Sequence, residues 1–348
     1  AGQLINDAQN AFIDGQMWSS IMLAALQVIT AIILAFWAPG FHTITSEKDE
    51  EALKNARQSI PASLMDALDK AATQRHLLVA TDFDGTLAPL VRNPRKAAPI
   101  PGSLEALDTL ATIPHTKAAI VSGRDIAGLR KVAPVTRDVT LVGSHGAEIS
   151  DSDHELTKHQ RDLLKRLIEE VTQTADSIPG ATIEEKKYAV VLHTRTAQDP
   201  HEAKKRTVEL EERLSAVPGV TLTRGKKVSE FAVINTTKDA ALASLAARWP
   251  TGADAILYLG DDVTDEHIFT GLPARITTPQ TEIITVKVGE GDTAAQYRIA
   301  NELEAAAVLD YLCEQRNHYA NAHFTWKDRK QHRKDSRSRA RRMAYSAD

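Results

Sequence analysis

Apolar residues fall along this chain in two textures. From Leu77 onward short apolar runs alternate with helical stretches: LLVAT (77–81), SLEALDTLATI (103–113), AAIVS (118–122), IAGLRKV (126–132) and VTLVG (139–143). Strands alternating with helices imply a parallel sheet with helices on both faces. After about Asp151 the pattern changes. A helix over Leu163 to Val171, a hairpin pairing Thr182 to Glu184 with Tyr188 to Arg195, a helix over Glu202 to Leu214 and a second hairpin pairing Val220 to Arg224 with Val228 to Ile234 read as a small α+β insert. The first rhythm then resumes with ALASLAARW (241–249) and AILYLGDD (255–262), and no internal repeat is visible. This predicts an α/β, doubly wound core at 59–150 and 236–316, interrupted by an inserted α+β domain at 151–235.

Two flanking segments obey neither rhythm. From Gly15 to Phe41 there is no charged side chain, and Met17 to Ala38 is mostly apolar, about the ~20 residues that cross a bilayer. Trp18 and Trp37 sit near its ends, where amphipathic rings favour the interface. Ser19, Ser20, Gln27 and Thr30 leave open an amphipathic helix lying on a membrane or on the protein. Basic residues follow at Lys48, Lys54 and Arg57, which by the positive-inside tendency places the catalytic part in the cytoplasm, tethered to the membrane face. Residues 1–58 are thus expected to be a membrane helix and a charged helical linker. Ile60-Pro61 then breaks the chain before a short helix whose apolar stripe is Leu64, Ala67, Leu68 and Ala71. At the other end, 317–348 lacks apolar periodicity, is rich in Arg, Lys and Ser, and is expected to be a disordered basic tail.

Composition adds two constraints. A single cysteine, Cys313, excludes an intramolecular disulfide and fits a reducing compartment. The net charge of −4 conceals a cluster of basic residues from Lys327 to Arg342; nucleic-acid or anionic-lipid contact is the rival reading, but with no recognition motif interleaved among them a solvated tail is expected and no nucleic-acid partner.

The candidate chemistry sits where the strand-like runs end. Asp82-Phe83-Asp84-Gly85-Thr86 directly follows Leu77 to Ala80, and in a doubly wound sheet ligands bind at the carboxyl ends of strands. One carboxylate can attack phosphorus, while a second two residues on protonates the leaving alkoxide and then activates water. A lone Asp-x-Asp-Gly is otherwise a common turn. Ser122-Gly123-Arg124 ends a second run, with a hydroxyl and backbone N–H groups suited to phosphate at a helix start. Lys238 opens a helix over Asp239 to Ala247 and can neutralise phosphate. Gly260-Asp261-Asp262, with Asp265 and Glu266, forms an acidic cluster suited to Mg²⁺.

In this order and placement the four elements resemble the haloacid dehalogenase phosphatases. The resemblance implies Asp82 as nucleophile, Asp84 as acid/base, and Ser122, Gly123 and Lys238 as phosphate holders. It places Mg²⁺ on Asp82, Asp84 (through its carbonyl) and Asp261, with Asp262 alongside. The insert lies between Ser122 and Lys238, an arrangement found in phosphatases of sugar phosphates. From about Ile60 to Leu312 the chain is similar to the trehalose-6-phosphate phosphatases. That likeness rests on Ser122-Gly123-Arg124-Asp125 followed by Leu129, Gly143-Ser144-His145-Gly146-Ala147-Glu148, Glu184-x-Lys186, His193-x-Arg195, Gly225-Lys226-Lys227-Val228-x-Glu230, Gly260-Asp261-Asp262-x-Thr264-Asp265-Glu266 and Val288-Gly289-Glu290-Gly291. It implies hydrolysis of trehalose 6-phosphate through an aspartyl phosphate, with Arg124, His145, Glu148, Glu184, Lys186, His193, Arg195, Lys226 and Glu230 contacting the substrate. Asp239 stands where the family usually has Gly, and Thr194 where an aromatic is common, so packing at those two positions is expected to differ.

Alternation along the insert supports a sugar-reading face. His193 and Arg195 share one side of their strand while Tyr188, Val190 and Leu192 share the other, and Glu230 opposes Phe231 and Val233. Cross-strand ion pairing on a solvated face is the competing explanation. A phosphatase of another sugar phosphate, such as sucrose or mannosylglycerate phosphate, and a membrane-bound scaffold with a silent phosphatase fold are the rival readings.

Overall fold

The computed structural model describes residues 47–151, 156–234, 236–276, 278 and 280–345, all within the unit running from His42 to Asp348. The expected membrane helix at 17–38 lies outside the described residues. Among those described, no helix is long and apolar enough to cross a membrane.

Helix α1 (Glu47–Ser59) is more than a linker. Leu53 and Ala56 are buried in the main core, and Arg57 pairs with Glu314 at 2.7 Å while lying over the Tyr311 ring. Helix α2 (Ala62–Ala72) buries the stripe read from the sequence, Leu64, Ala67, Leu68 and Ala71. Strand β1 (Leu77–Thr81) is buried along its whole length and lies at the centre of a seven-stranded sheet. Around it come α3 (Ser103–Thr112), β2 (Thr116–Val121), α4 (Ile126–Val132), β3 (Thr140–Gly143) and β4 (Glu148–Ile149).

The insert follows, as α5 (Lys158–Asp176), β5 (Thr182–Glu185), β6 (Ala189–His193), α6 (Pro200–Ser215), β7 (Thr221–Gly225) and β8 (Val228–Ala232). The chain then returns through α7 (Lys238–Ala246), β9 (Ala255–Gly260), α8 (Val263–Arg275), β10 (Glu282–Val288), β11 (Tyr297–Ile299) and α9 (Glu302–His323). The large sheet has the order β11-β10-β9-β1-β2-β3-β4. Its pairings are parallel except for β3 with β4.

Side-chain alternation along β1 separates two cores. Leu77 and Val79 join a cluster that includes Leu68, Leu107 and Leu309, from α2, α3 and α9. Leu78 and Ala80 join one that includes Leu242 and Ile268, from α7 and α8. With helices on both faces, only the strand ends are open to ligand. The inserted sheet has the order β5-β6-β8-β7 and is antiparallel throughout. Val190, Leu192 and Phe231 face Leu163, Leu167 and Leu210 of α5 and α6, which leaves the side bearing Glu184, His193 and Glu230 to polar work.

Over 317–345, the described part of the expected disordered tail, the structure is helical instead. Residues 317–323 complete α9, and Trp326–Tyr345 form a further helix, α10. Lys, Arg, Gln and Ala are strong helix formers even without an apolar stripe. Thr325 and Asp328 also cap each other: the Thr325 N–H and hydroxyl donate to Asp328 Oδ2 at 2.8 and 2.6 Å, and the Asp328 N–H donates to Thr325 Oγ1 at 3.4 Å. Asp328 further meets His115 at 2.8 Å, and the Ser336 hydroxyl donates to Asp138 at 2.9 Å. These contacts dock the helix by polar groups that apolar periodicity does not register.

Candidate active site

Asp82 leaves the end of β1, where its N–H donates to the Leu259 carbonyl of β9 at 2.9 Å. The turn after it tightens at Gly85, with φ of 82°. A Cβ there would lie 2.1 Å from Asp261 Oδ2, so the two strand ends approach closely only because this residue has no side chain. Asp261 and Asp262 leave the end of β9, and Thr86 donates to Asp261 at 3.3 Å. Asp262 is the N-cap of α8, accepting the N–H groups of Thr264 and Asp265 in a capping box.

Asp265 joins these parts. It is fully buried, and four donors converge on it: Tyr258 Oη at 2.7 Å, Lys238 Nζ at 2.9 Å, and the N–H groups of Asp261 and Asp262 at 3.0 and 3.1 Å. Lys238, the first residue of α7, also donates to Asp82 Oδ1 at 3.0 Å. A Tyr258, Asp265, Lys238, Asp82 chain therefore runs from the core to the strand-end carboxylate. Lys287, a lysine buried in β10, donates to the Asp261 carbonyl.

Four carboxylates, Asp82, Asp261, Asp262 and Asp265, outnumber the two lysines, Lys238 and Lys287, beside them. Burial raises the Asp82 pKa well above the ordinary carboxylate value, opposed by Lys238 and reinforced by Asp265 and Asp261. Asp261 is pushed up to about 7 by burial and by Asp265 and Asp262. Burial works against the Lys238 charge, but Asp82, Asp265 and Asp262 outweigh it and its pKa is raised. Asp82, Asp261 and Asp265 each bring a carboxylate oxygen within 4.8 Å of the others. Crowded carboxylates of this kind fit a hard divalent cation. Asp265 has both oxygens occupied by protein donors, while Asp262 gives only Oδ1 to its cap. Asp82, Asp261 and Asp262 therefore each keep a carboxylate oxygen that no donor among the described residues takes.

Across the cavity, Ser122 follows β2, and its hydroxyl accepts the Arg124 N–H at 3.2 Å. The N-cap of α4, Asp125, takes the Gly128 N–H at 2.8 Å, and Ser122 and Gly123, expected to hold phosphate, line the cavity just before that helix. His145 sits over Gly123, where a Cβ would lie 2.6 Å from the imidazole. Burial and Lys238 lower the His145 pKa. Arg124 grips Asp84 with two bonds, Nε to Oδ2 at 2.6 Å and Nη2 to Oδ1 at 2.5 Å. Glu148 turns away from the cavity to bind the Ser144 hydroxyl at 2.6 Å and the Ile126 N–H at 3.4 Å, so it braces the loop.

A cavity of about 1010 Å³ is lined both by Asp82, Asp84, Ser122, Gly123, Arg124, His145, Lys238, Asp261 and Asp262 of the core and by Glu184 and Lys186 of the insert. Glu230 pairs with Lys186 at 2.7 Å, and His193 pairs with Glu184 at 3.0 Å. Arg195 and Lys226 are exposed and do not line it. Sequence reasoning overlooked Tyr258 and Lys287, and also Leu90, Val91, Arg95 and Lys131, which line the cavity. Lys287 carried a signal, being a lysine inside a buried strand. The departure at Asp239 is accommodated by α8, which presents Gly271 to it and Arg275 as its ion-pair partner.

The trehalose-phosphatase family model matches residues 80–302. A trehalose-phosphate phosphatase of Mycobacterium tuberculosis is 30% identical over 298 residues, covering 79% of this chain and 72% of that protein. An uncharacterized glycosyl hydrolase of the same organism is 33% identical over 257 residues, covering 70% of this chain and 19% of that protein. The chain thus spans about a fifth of that relative's length. Among solved structures, trehalose-6-phosphate phosphatase of Aspergillus fumigatus aligns with a TM-score of 0.55 at 28% identity, over 73% of this chain and 97% of that one.

Proposed function

The chain belongs to the trehalose-phosphatase family, and on that footing we propose that it hydrolyses trehalose 6-phosphate to trehalose and phosphate. The observation that carries this reading is the convergence of Asp82, Asp84, Ser122, Lys238 and Asp261 on one cavity that Glu184 and Lys186 of the insert also line. In this proposal the core performs the phosphate chemistry and the insert acts as a cap that reads the sugar.

Asp82 attacks phosphorus through a carboxylate oxygen. The P–O bond to the sugar breaks, and the leaving oxygen takes a proton from Asp84. Water then attacks the aspartyl phosphate, giving its proton to Asp84 and returning Asp82 as a carboxylate. Ser122, Gly123 and Lys238 hold the phosphoryl oxygens, and Arg124 keeps the Asp84 carboxyl oriented between the two steps. Asp82, Asp261 and the Asp84 carbonyl would hold Mg²⁺, which when bound supplies positive charge to offset the crowded carboxylates and the phosphoryl oxygens. Lys186 and Glu184 offer a donor and an acceptor to sugar hydroxyls, with Glu230 and His193 fixing their positions.

A panel of sugar phosphates, with released phosphate as the readout, tests the proposal. Trehalose 6-phosphate is expected to be turned over with the highest kcat/KM and to need Mg²⁺. A higher kcat/KM for sucrose 6-phosphate or mannosylglycerate phosphate would move the assignment to that sugar.

A further inference from the structure

Helix α10 separates its charges by face. Its inner side carries Asp328, which meets His115 at 2.8 Å, and Ser336, which donates to Asp138 at 2.9 Å. Arg329 also turns inward, to the Ala320 carbonyl at 3.2 Å. At 3.6 residues per turn, Trp326, Lys327, Lys330, Arg333, Lys334 and Arg337 all fall on the opposite third or so of the circumference. All six are exposed. Neither acid of the stretch shares that arc, since Asp328 faces inward and Asp335 lies on a flank, bound by Gln331 at 2.9 Å. None of the five cations has an ion-pair partner among the described residues. Trp326, 64% exposed, stands at the start of the arc with Lys330 over its ring at 4.6 Å.

We propose that this outer face of α10 docks the phosphatase on an anionic lipid surface. A convex helix with an acid-free row of cations complements a plane of negative headgroups, and an exposed indole beside a lysine suits the boundary between headgroups and acyl chains. A duplex nucleic acid would use the cations and leave the indole without a role. The surface is separate from the catalytic cavity, so the inference does not depend on which sugar phosphate is hydrolysed.

The test is flotation of the full chain with vesicles of phosphatidylcholine alone, and of phosphatidylcholine with phosphatidylserine at about three to one. The stretch 17–38 carries no charge, so a difference between the two vesicle types reports charged residues, and the triple variant assigns it to α10. Each cation near such a surface strengthens binding about fivefold. Lys330→Gln, Arg333→Gln and Arg337→Gln together are therefore expected to weaken binding to the anionic vesicles roughly a hundredfold. Glutamine preserves helix propensity, and unchanged phosphate release verifies the fold. Arg333→Lys with Arg337→Lys keeps the charge and should keep the binding. Equal binding of the parent to both vesicle types, a loss under about threefold in the triple variant, or tighter binding to duplex DNA than to anionic vesicles at the same salt would each overturn the proposal.

Discussion

At the scale of the residue, one lysine holds the strand-end carboxylate of Asp82 and one aspartate holds the lysine. Asp82→Asn removes the proposed nucleophile but keeps an oxygen to accept the Lys238 hydrogen bond, so phosphate release should vanish while circular dichroism and the melting transition stay as in the parent. A variant with near-normal turnover would displace Asp82 from the role. Asp265→Ala leaves Lys238, Tyr258 and two N–H groups without their acceptor in a fully buried place. Breaking a buried ion pair in this way costs about 3–5 kcal/mol, which a denaturant titration will measure; a loss below about 1 kcal/mol would show that Asp265 is not the central acceptor.

A pH effect follows from Asp261. Its folded-state pKa is raised from 3.8 to about 7, so the stability it contributes is whole below the unfolded value and is lost as pH rises through the folded one. Metal-free protein should melt lower at about pH 8 than at about pH 5, and Mg²⁺ should raise the melting temperature more at the higher pH. An equal Mg²⁺ effect at both values would contradict this. Asp82, Asp84, Lys238 and Asp261 were legible in the sequence because each follows an apolar run that had to be a strand or opens a helix. Tyr258 was not, because an aromatic within a buried strand reads as core until its hydroxyl is seen to meet Asp265; Lys287 stood out as a lysine in an apolar strand, but its partner, the Asp261 carbonyl, is known only from the pairing of β9 with β10.

Among the elements, the inserted hairpins were legible through strict alternation: Val190, Leu192 and Phe231 form the core side, and Glu184, His193 and Glu230 fall on the other. Side-chain direction follows from the period of two. Whether a given polar residue reaches the cavity does not follow from it, since Lys186 and Glu184 line the wall while Glu230 and His193 stand behind them. Helix α10 was illegible for the opposite reason, because a polar cap and polar docking contacts leave no hydrophobic period to find. Asp328 serves both its cap and its contact with His115. Asp328→Ala should therefore cost the helix about 1 kcal/mol, seen as faster amide exchange over 326–338 with no change in the strands. Unchanged exchange there would show that α10 is held by other contacts.

At the scale of the fold, buried strands carry Asp82, Ser122 and Asp261 to one end of the large sheet, where Glu184 and Lys186 of the inserted sheet line the same cavity. The parallel core could be inferred because continuous apolar runs alternating with helices admit few other arrangements. The extent of the cavity could not, since it is fixed by how the insert folds back over the strand ends. If the core treats phosphate and the insert reads sugar, the two tasks should separate in one variant. Glu230→Ala removes the partner of Lys186 on the sugar-reading wall, and a hydrogen bond to a charged group is worth about 1.5–3 kcal/mol. The deciding measurement is kcat/KM for trehalose 6-phosphate and for a small aryl phosphate, in the parent and in Glu230→Ala, with Mg²⁺ present. The predicted result is a roughly 10- to 150-fold loss on trehalose 6-phosphate and less than about a threefold change on the aryl phosphate. Equal losses on the two substrates would contradict the division of labour and leave the insert without a part in choosing the sugar.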